Sequence, residues 1–320
     1  MVTTPSTPTA PAALRSMMNG LIDYAGLFPP ASLSMAKAVR QFAQHRRGKQ
    51  AFALARFICP LTRLDEWSEA ARAHLSSGHV PASEAAPDPW GLSVLLDVPL
   101  DQALASIERF NEAHAAGEGG SHKHAHTAVI DTVEIKVQTP EVIEKAMDKL
   151  PEDLFPFFEV PADGDFRSFA AALAGTGFGA KLRTGGVVAE AIPSCERVAE
   201  FLEVFAAAEV PIKCTAGLHH PVRGEQRLTY QDNSPRAVMH GFLNVFMGAA
   251  FVHALQADRQ TVLNVLRETD PGAFHFDDAS AGWRSLRLTV QQLEEAREVF
   301  AICFGSCSFE EPTTEVGLRA

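Results

Sequence analysis

The feature that most constrains this chain is an alternation. Short apolar runs give way to longer helical patterns, and the pairing repeats eight times. LIDYAG precedes SLSMAKAVRQFAQH; AFALARFICP precedes DEWSEAARAHL; WGLSVLLDVP precedes DQALASIERFNEAH; AVIDTVEIKV precedes PEVIEKAMDKL. DLFPFFEVP then precedes DFRSFAAALAG; GAKLRTGG precedes PSCERVAEFLEVFAAA; PIKCTAG precedes, after a long loop, PRAVMHGFLNVFMGAAFVHAL; and AFHFDD precedes TVQQLEEAREVFAICF. Helix-start residues sit where they should, with Asp65 and Asp101 near caps and Pro140 and Pro193 near first turns. Alternation of this kind implies a parallel sheet. Eight units imply a closed α/β architecture, the (β/α)8 TIM barrel, as a single domain. The chain has 320 residues, which suits a barrel of roughly 250 residues with additions. No GxGxxG follows an early strand, so an open dinucleotide-binding sheet has little support.

Residues 1–18 read as a flexible Pro/Thr/Ala tail and residues 19–320 as the barrel. The tail has neither the basic start nor the apolar centre of a signal peptide. Two loops, GHVPASEAAPDPW and AAGEGGSHKHAHT, interrupt the pattern ahead of the third and fourth strands. HKHAH is expected to be solvated, with adventitious metal binding as the alternative. The most apolar run, GFLNVFMGAAFVHAL, is too short to span a bilayer and reads as a buried helix.

Composition narrows the partners. A net charge of −11 argues against nucleic acid, which demands a basic footprint. With no membrane span, the expected partner is a small-molecule substrate, and a homo-oligomer is left open. Five cysteines, an odd number without a CxxC pair, point to free thiols in a reducing, cytoplasmic setting.

Strand side chains alternate between faces. In the fourth strand Thr132, Glu134, Lys136 and Gln138 share one face, and Val133, Ile135 and Val137 the other. The apolar face must meet the outer helices, so the polar face points into the barrel. By the same rule Lys181 and Arg183 face inward from the sixth strand, and Lys213 and Thr215 from the seventh. Asp97 ends the third strand, Glu159 the fifth, and His275 and Asp277 share a face of the eighth. Asp23 and Arg56 are placed late in the first and second. Barrel enzymes keep their chemistry at the C-terminal strand ends. Unpaired buried charges each cost several kcal/mol, so such a collection is expected to have a task.

Two lysines on adjacent strands suggest what the task is. A lysine amine is a nucleophile only when neutral, and desolvation or a second cation favours that form. Imine formation with a carbonyl substrate is the natural use. The alternative is that both lysines serve as fixed charges.

The stretch KLRTGGVVAEAIPSCERV resembles the sixth strand and following helix of the deoxyribose-phosphate aldolases. Lys181, Thr184, Gly185, Val187, Ala191 and Pro193 match the family pattern without a gap. IKCTAG is similar to the family's seventh strand through Lys213 and Gly217, and VEIKV to its fourth. The resemblance spans roughly residues 130–220. It implies a lyase of the class I aldolase type with no cofactor, Lys181 as the imine-forming residue and Lys213 as the cation beside it. The departures are Lys136 where the family has an aspartate, AGLHHP where it has a phosphate-binding Gly-Gly-Val-Arg, and the acidic FDDAS assigned to the eighth strand. The substrate is therefore expected to differ from deoxyribose 5-phosphate. It would be a small, anionic carbonyl compound held by Arg183, Lys213 and Lys136, with Thr215, Arg56, His220 and Asp277 as further contacts. Glu159, Glu134, Asp97 or His219 would move protons.

Two rivals stand beside this reading. One is a hydrolase or lyase that binds a divalent metal through His219, His220 and carboxylates, with His240 (placed on the next helix) and His275 nearby. The other is a non-catalytic ligand-binding barrel. The loop from Pro221 to Pro235 and the segment AGLFPPASLSM are expected as lids over the barrel mouth, with solvated connections as the alternative.

Overall fold

The computed structural model describes residues 10–75, 88–115 and 127–318. Eight parallel strands close into a barrel: β1 (Ile22–Tyr24), β2 (Leu54–Pro60), β3 (Trp90–Leu95), β4 (Ala128–Lys136), β5 (Phe155–Val160), β6 (Gly179–Arg183), β7 (Ile212–Thr215) and, far along the chain, β13 (Ala301–Ser306). The order around the barrel is β1-β2-β3-β4-β5-β6-β7-β13, and β13 closes it by pairing with both β1 and β7. Between β7 and β13 lie a hairpin, β8 (Gly224–Arg227) and β9 (Arg236–Met239), and a three-stranded antiparallel sheet, β10 (Phe274–Phe276), β11 (Ser280–Trp283) and β12 (Leu286–Thr289). HKHAH and most of the loop before β3 lie outside the described residues.

The helices are α1 (Ala12–Met18), α2 (Met35–His45), α3 (Leu64–Leu75), α4 (Leu100–His114), α5 (Pro140–Met147), α6 (Phe166–Leu173), α7 (Cys195–Ala207), α8 (Phe242–Leu255), α9 (Arg259–Arg267), α10 (Val290–Val299) and α11 (Glu310–Glu315). Outward-facing apolar residues pin them to the strands. Phe57 of β2, for example, meets Phe42 of α2 and Trp67 of α3. The apolar run α8 is buried almost throughout, its Phe242 stacked on Phe304 of β13. It also packs against α7, α9 and α10, which is why its sequence has no polar stripe. Among the described residues no helix is long and apolar enough to cross a membrane.

Three segments differ from expectation. Within PRAVM, read as the start of a helix, Arg236–Met239 is strand β9 of the hairpin, and α8 begins only at Phe242. Residues 12–18, read as tail, form α1. Ala13, Leu14, Met17 and Met18 lie on one face, and all four are buried. The Arg297 guanidinium clamps this helix by donating to the carbonyls of Met17 and Asn19.

The eighth strand is AICFGS, not AFHFDD. AFHFDD begins the antiparallel sheet, which turns at Asp277, whose Oδ1 accepts from the backbone of Ala279 (2.8 Å) and Ser280 (2.7 Å). A half-buried meander alternates its faces like a barrel strand does, so periodicity alone does not separate them. The helical pattern read through TVQQLEEAREVFAICF ends at Phe300, where the backbone leaves helical geometry (φ −126°, ψ −69°). His275 and Asp277 are therefore outside the barrel interior, and the acidic FDDAS no longer bears on the mouth.

A lysine and carboxylate cluster inside the barrel

Alternation brings the inward residues into layers. Asp23 of β1, Ser93 of β3, Phe157 of β5 and Lys213 of β7 meet in one layer. The Lys213 ammonium pairs with Asp23, lies 3.4 Å from Ser93 Oγ and sits 5.5 Å from the Phe157 ring centre. None of the four is more than 2% exposed, so together they close the barrel below the mouth. Glu134 of β4 and Lys181 of β6 come from the intervening strands, as do Ile58 of β2 and Gly305 of β13.

The two layers are joined through Glu134. Its Oε2 accepts from Lys181 Nζ at 2.5 Å and its Oε1 from Lys213 Nζ at 2.6 Å; Ser93 Oγ donates to the same Oε1 at 2.7 Å. Lys181 also pairs with Glu159 Oε2 at 2.6 Å. The result is a chain of alternating charge, Asp23–Lys213–Glu134–Lys181–Glu159. Its ends differ. Asp23 is fully buried and also accepts from the backbone N–H of Arg56 (2.9 Å) and from Cys303 Sγ (3.3 Å). The Glu159 side chain is 16% exposed and reaches toward the mouth.

These partners set the charge states. Burial opposes ionisation of Glu134, but Lys181 and Lys213 outweigh it and hold the carboxyl far below the usual range. Burial likewise opposes the Lys213 ammonium, and Asp23 followed by Glu134 outweighs it, so Lys213 is held protonated well above the usual lysine range. Burial, then Asp23, pushes the Cys303 thiol up, so it serves Asp23 as a donor.

The glycine turns after the two lysine strands have a mechanical reason. The β6 and β7 loops run backbone against backbone, and a Cβ on Gly185 would lie 2.7 Å from Gly217 Cα. Gly217 itself has φ +80°, open to glycine at little cost. Thr184 Oγ1 donates to Ala216 O at 2.7 Å and fastens the seam.

Lys181, Lys213, Glu134 and Glu159 thus come together. Thr215 faces inward one step above Lys213, against Gly305. Lys136 and Arg183 are the last residues of β4 and β6, are exposed, and have no ion-pair partner among the described residues.

The remaining candidates go elsewhere. Arg56 is third in a seven-residue strand, not late in it, and its guanidinium is bound bidentately by Asp131 (2.6 and 2.9 Å) at the closed end. Asp97 lies beyond β3 in the following loop, accepting from the backbone and hydroxyl of Thr62. His220 pairs with Glu315 (2.8 Å) and His219 with Glu311 (3.2 Å), so α11 draws both rings away from the lysines. His240 precedes α8 instead of lying on it; its Nε2 meets the Pro193 carbonyl at 2.7 Å, and burial lowers it to about 4. Asp23, named from the sequence but given no role, turns out to be central, and Ser93 and Cys303 were missed. Ser93 had a signal, as the lone polar residue in WGLSVLL.

Comparison with family models, curated proteins and solved structures returns no match to this chain. Among the described residues no three His, Cys, Asp or Glu side chains converge as a metal-ligand set. All five cysteines are free and buried. Over the ends of β6 and β7, the two segments expected as lids meet. Pro29 and Pro30 face Arg227, Leu228 and Tyr230 across a cavity of about 40 Å3.

Proposed function

We propose that the protein is a carbon–carbon lyase of the class I aldolase type, acting on a small anionic carbonyl compound through an imine on Lys181. The observation that supports this most is the unequal setting of the two lysines. Lys213 is enclosed by Asp23, Glu134 and Ser93 and held as a cation. Lys181 has one carboxylate on the closed side, Glu134, and one on the mouth side, Glu159. Barrel interiors are ordinarily filled with branched apolar residues. Ion pairs placed there tend to lose stability relative to such packing, which favours a chemical role.

The steps follow from the same asymmetry. Glu134 faces two ammonium groups and stays ionised, so it is a poor proton acceptor. Glu159 has only Lys181 and is the acceptor for the proton that Lys181 must lose. The neutral amine adds to the substrate carbonyl, Glu159 returns its proton to the carbinolamine hydroxyl, which leaves as water, and the protonated imine draws electrons from the carbon–carbon bond being cleaved. Glu159 takes the hydroxyl proton of the departing fragment. Glu134, ionised between the two lysines, balances the charge of the protonated imine once formed. Arg183 and Lys136, exposed at the rim and without an ion-pair partner among the described residues, are suited to an anionic group on the substrate.

The test is borohydride trapping with a panel of small aldehydes and 2-oxo acids, read by peptide mass spectrometry. An adduct on Lys181 that disappears in Lys181→Arg is expected. No adduct with any carbonyl compound would overturn the reading and leave the cluster as an internal ion-pair plug.

A further inference from the structure

A second group of reactive side chains lies at the barrel rim, outside the lysine chain. Cys307 directly follows β13, and its Sγ is 4.0 Å from Nε2 of His219, in the loop after β7. The opposite ring nitrogen, Nδ1, lies 3.2 Å from Glu311 Oε2 and 3.5 Å from Ser306 Oγ. Sulfur and carboxylate therefore bracket the imidazole from two sides. That is the order of a nucleophile, a proton-transfer group and the residue that orients it, with the looser spacing common without substrate. Tyr230, from the turn between β8 and β9, donates to Glu311 at 3.0 Å and stands 3.7 Å from the same sulfur.

The histidine is set up to give a proton. Burial works against its charged form, but the hydrogen bonds to Cys307 and Glu311 outweigh it and push His219 up to about 10. Space is also present. The cavity of about 40 Å3 adjoins the group: His219, Tyr230 and Glu311 line it and Cys307 does not, so the sulfur meets it through its contacts with His219 and Tyr230, and addition needs one of these two side chains to shift. A water needs roughly 10–15 Å3 of such space, so the cavity takes on the order of three non-hydrogen atoms. The other four thiols are placed differently: Cys303 serves Asp23 and Cys195 meets a backbone carbonyl, while Cys59 and Cys214 are fully buried with burial pushing both up to about 12.

We propose that Cys307, His219 and Glu311 form a second reactive centre, in which Cys307 adds reversibly to the carbonyl carbon of a small aldehyde. The S–H bond breaks and an S–C bond forms. The carbonyl π pair moves to oxygen, which takes the His219 Nε2 proton, and the thiol proton replaces it on the ring. The product is a thiohemiacetal, and no oxidant or reductant is involved. Glu311 keeps the ring aimed at sulfur. This centre does not depend on an imine at Lys181.

The experiment is limited alkylation of the folded protein with iodoacetamide at neutral pH, followed by peptide mass spectrometry of all five cysteines. Cys307 is expected to react first, and its rate to fall about a hundredfold or more in His219→Gln, in the range that lost proton transfer costs. Acetaldehyde, matched to the cavity, is expected to slow alkylation of Cys307 in the unmodified protein and equally in Lys181→Arg. The second comparison needs no change at His219, so it holds even where that variant folds poorly. Persistence in Lys181→Arg separates it from failure of the imine reading. Cys307 reacting no faster than the other thiols, or acetaldehyde giving no protection, would overturn the proposal.

Discussion

Lys213 and Asp23 form an ion pair in which neither side chain has any solvent exposure. Removing one partner of such a pair strands a charge away from water, at a cost of roughly 3–5 kcal/mol. Asp23→Ala is expected to lower unfolding stability by about that much, measured as a lower urea midpoint with an unchanged denaturant slope. Lys213→Met, which leaves two carboxylates without their shared cation, should cost a similar amount.

The lysines are predicted to part company chemically. With Lys181→Met, borohydride trapping should vanish and cleavage activity should drop by several orders of magnitude. With Glu159→Gln, trapping should persist but slow by about 10²–10⁴-fold, the usual range for lost general acid–base help. Single-turnover trapping rates check this directly. Equal trapping rates in Glu159→Gln and the unmodified protein would remove Glu159 from the mechanism.

At the rim, Arg183→Ser is expected to raise KM for an anionic substrate by about ten- to a hundredfold with little change in kcat. That is the loss of one charge-assisted hydrogen bond, about 1.5–3 kcal/mol, spread equally over bound substrate and transition state. Steady-state kinetics on a charged and an uncharged carbonyl compound tests it, since the uncharged one should be indifferent.

The seam between the lysine strands gives a packing prediction. In Gly185→Ala the new methyl group would start 2.7 Å from the backbone of Gly217, so the two loops must separate. Overpacking of this kind costs about 1–3 kcal/mol. Thermal unfolding should show the loss, and trapping at Lys181 should slow because Gly185 lies in the loop that directly continues β6, the strand of Lys181.

Stability against pH follows from the shifts. Glu134 is depressed in the folded state, so its contribution is present above the ordinary carboxylate range and is lost as pH falls below it. His219 is raised, so its contribution is full below about 6.5 and is lost as pH climbs toward about 10. The urea midpoint should therefore fall on both sides of neutrality. In His219→Gln the alkaline fall between about 6.5 and 10 should be shallower, and an unchanged slope there would show that His219 is not the cause.

The barrel was readable because strand and helix periods differ and the switch between them recurs. Seven of its strands follow from that pattern. The eighth did not, because Val299, the last residue of α10, and Phe300 after it run without a polar break into AICF. Within the site, period-two alternation placed Lys181, Lys213 and Glu134 on inward faces. It gives a face but not a height along the axis. Arg56, with a face but no height, fell at the closed end; Asp97, beyond its strand, and His220, in a loop, were drawn off by Thr62 and Glu315. Cys303 was hidden together with β13, and with it went the third donor to Asp23.

The layer of Asp23, Ser93, Phe157 and Lys213 makes the barrel a blind tube. Whatever reaches Lys181 must come and go by a single doorway, and so must the water that would hydrolyse a covalent adduct there. For a cleavage reaction this dictates sequence: the free fragment has to clear the passage before the tethered one can be released. Product release would then be ordered by traffic, without any difference in affinity between the two fragments.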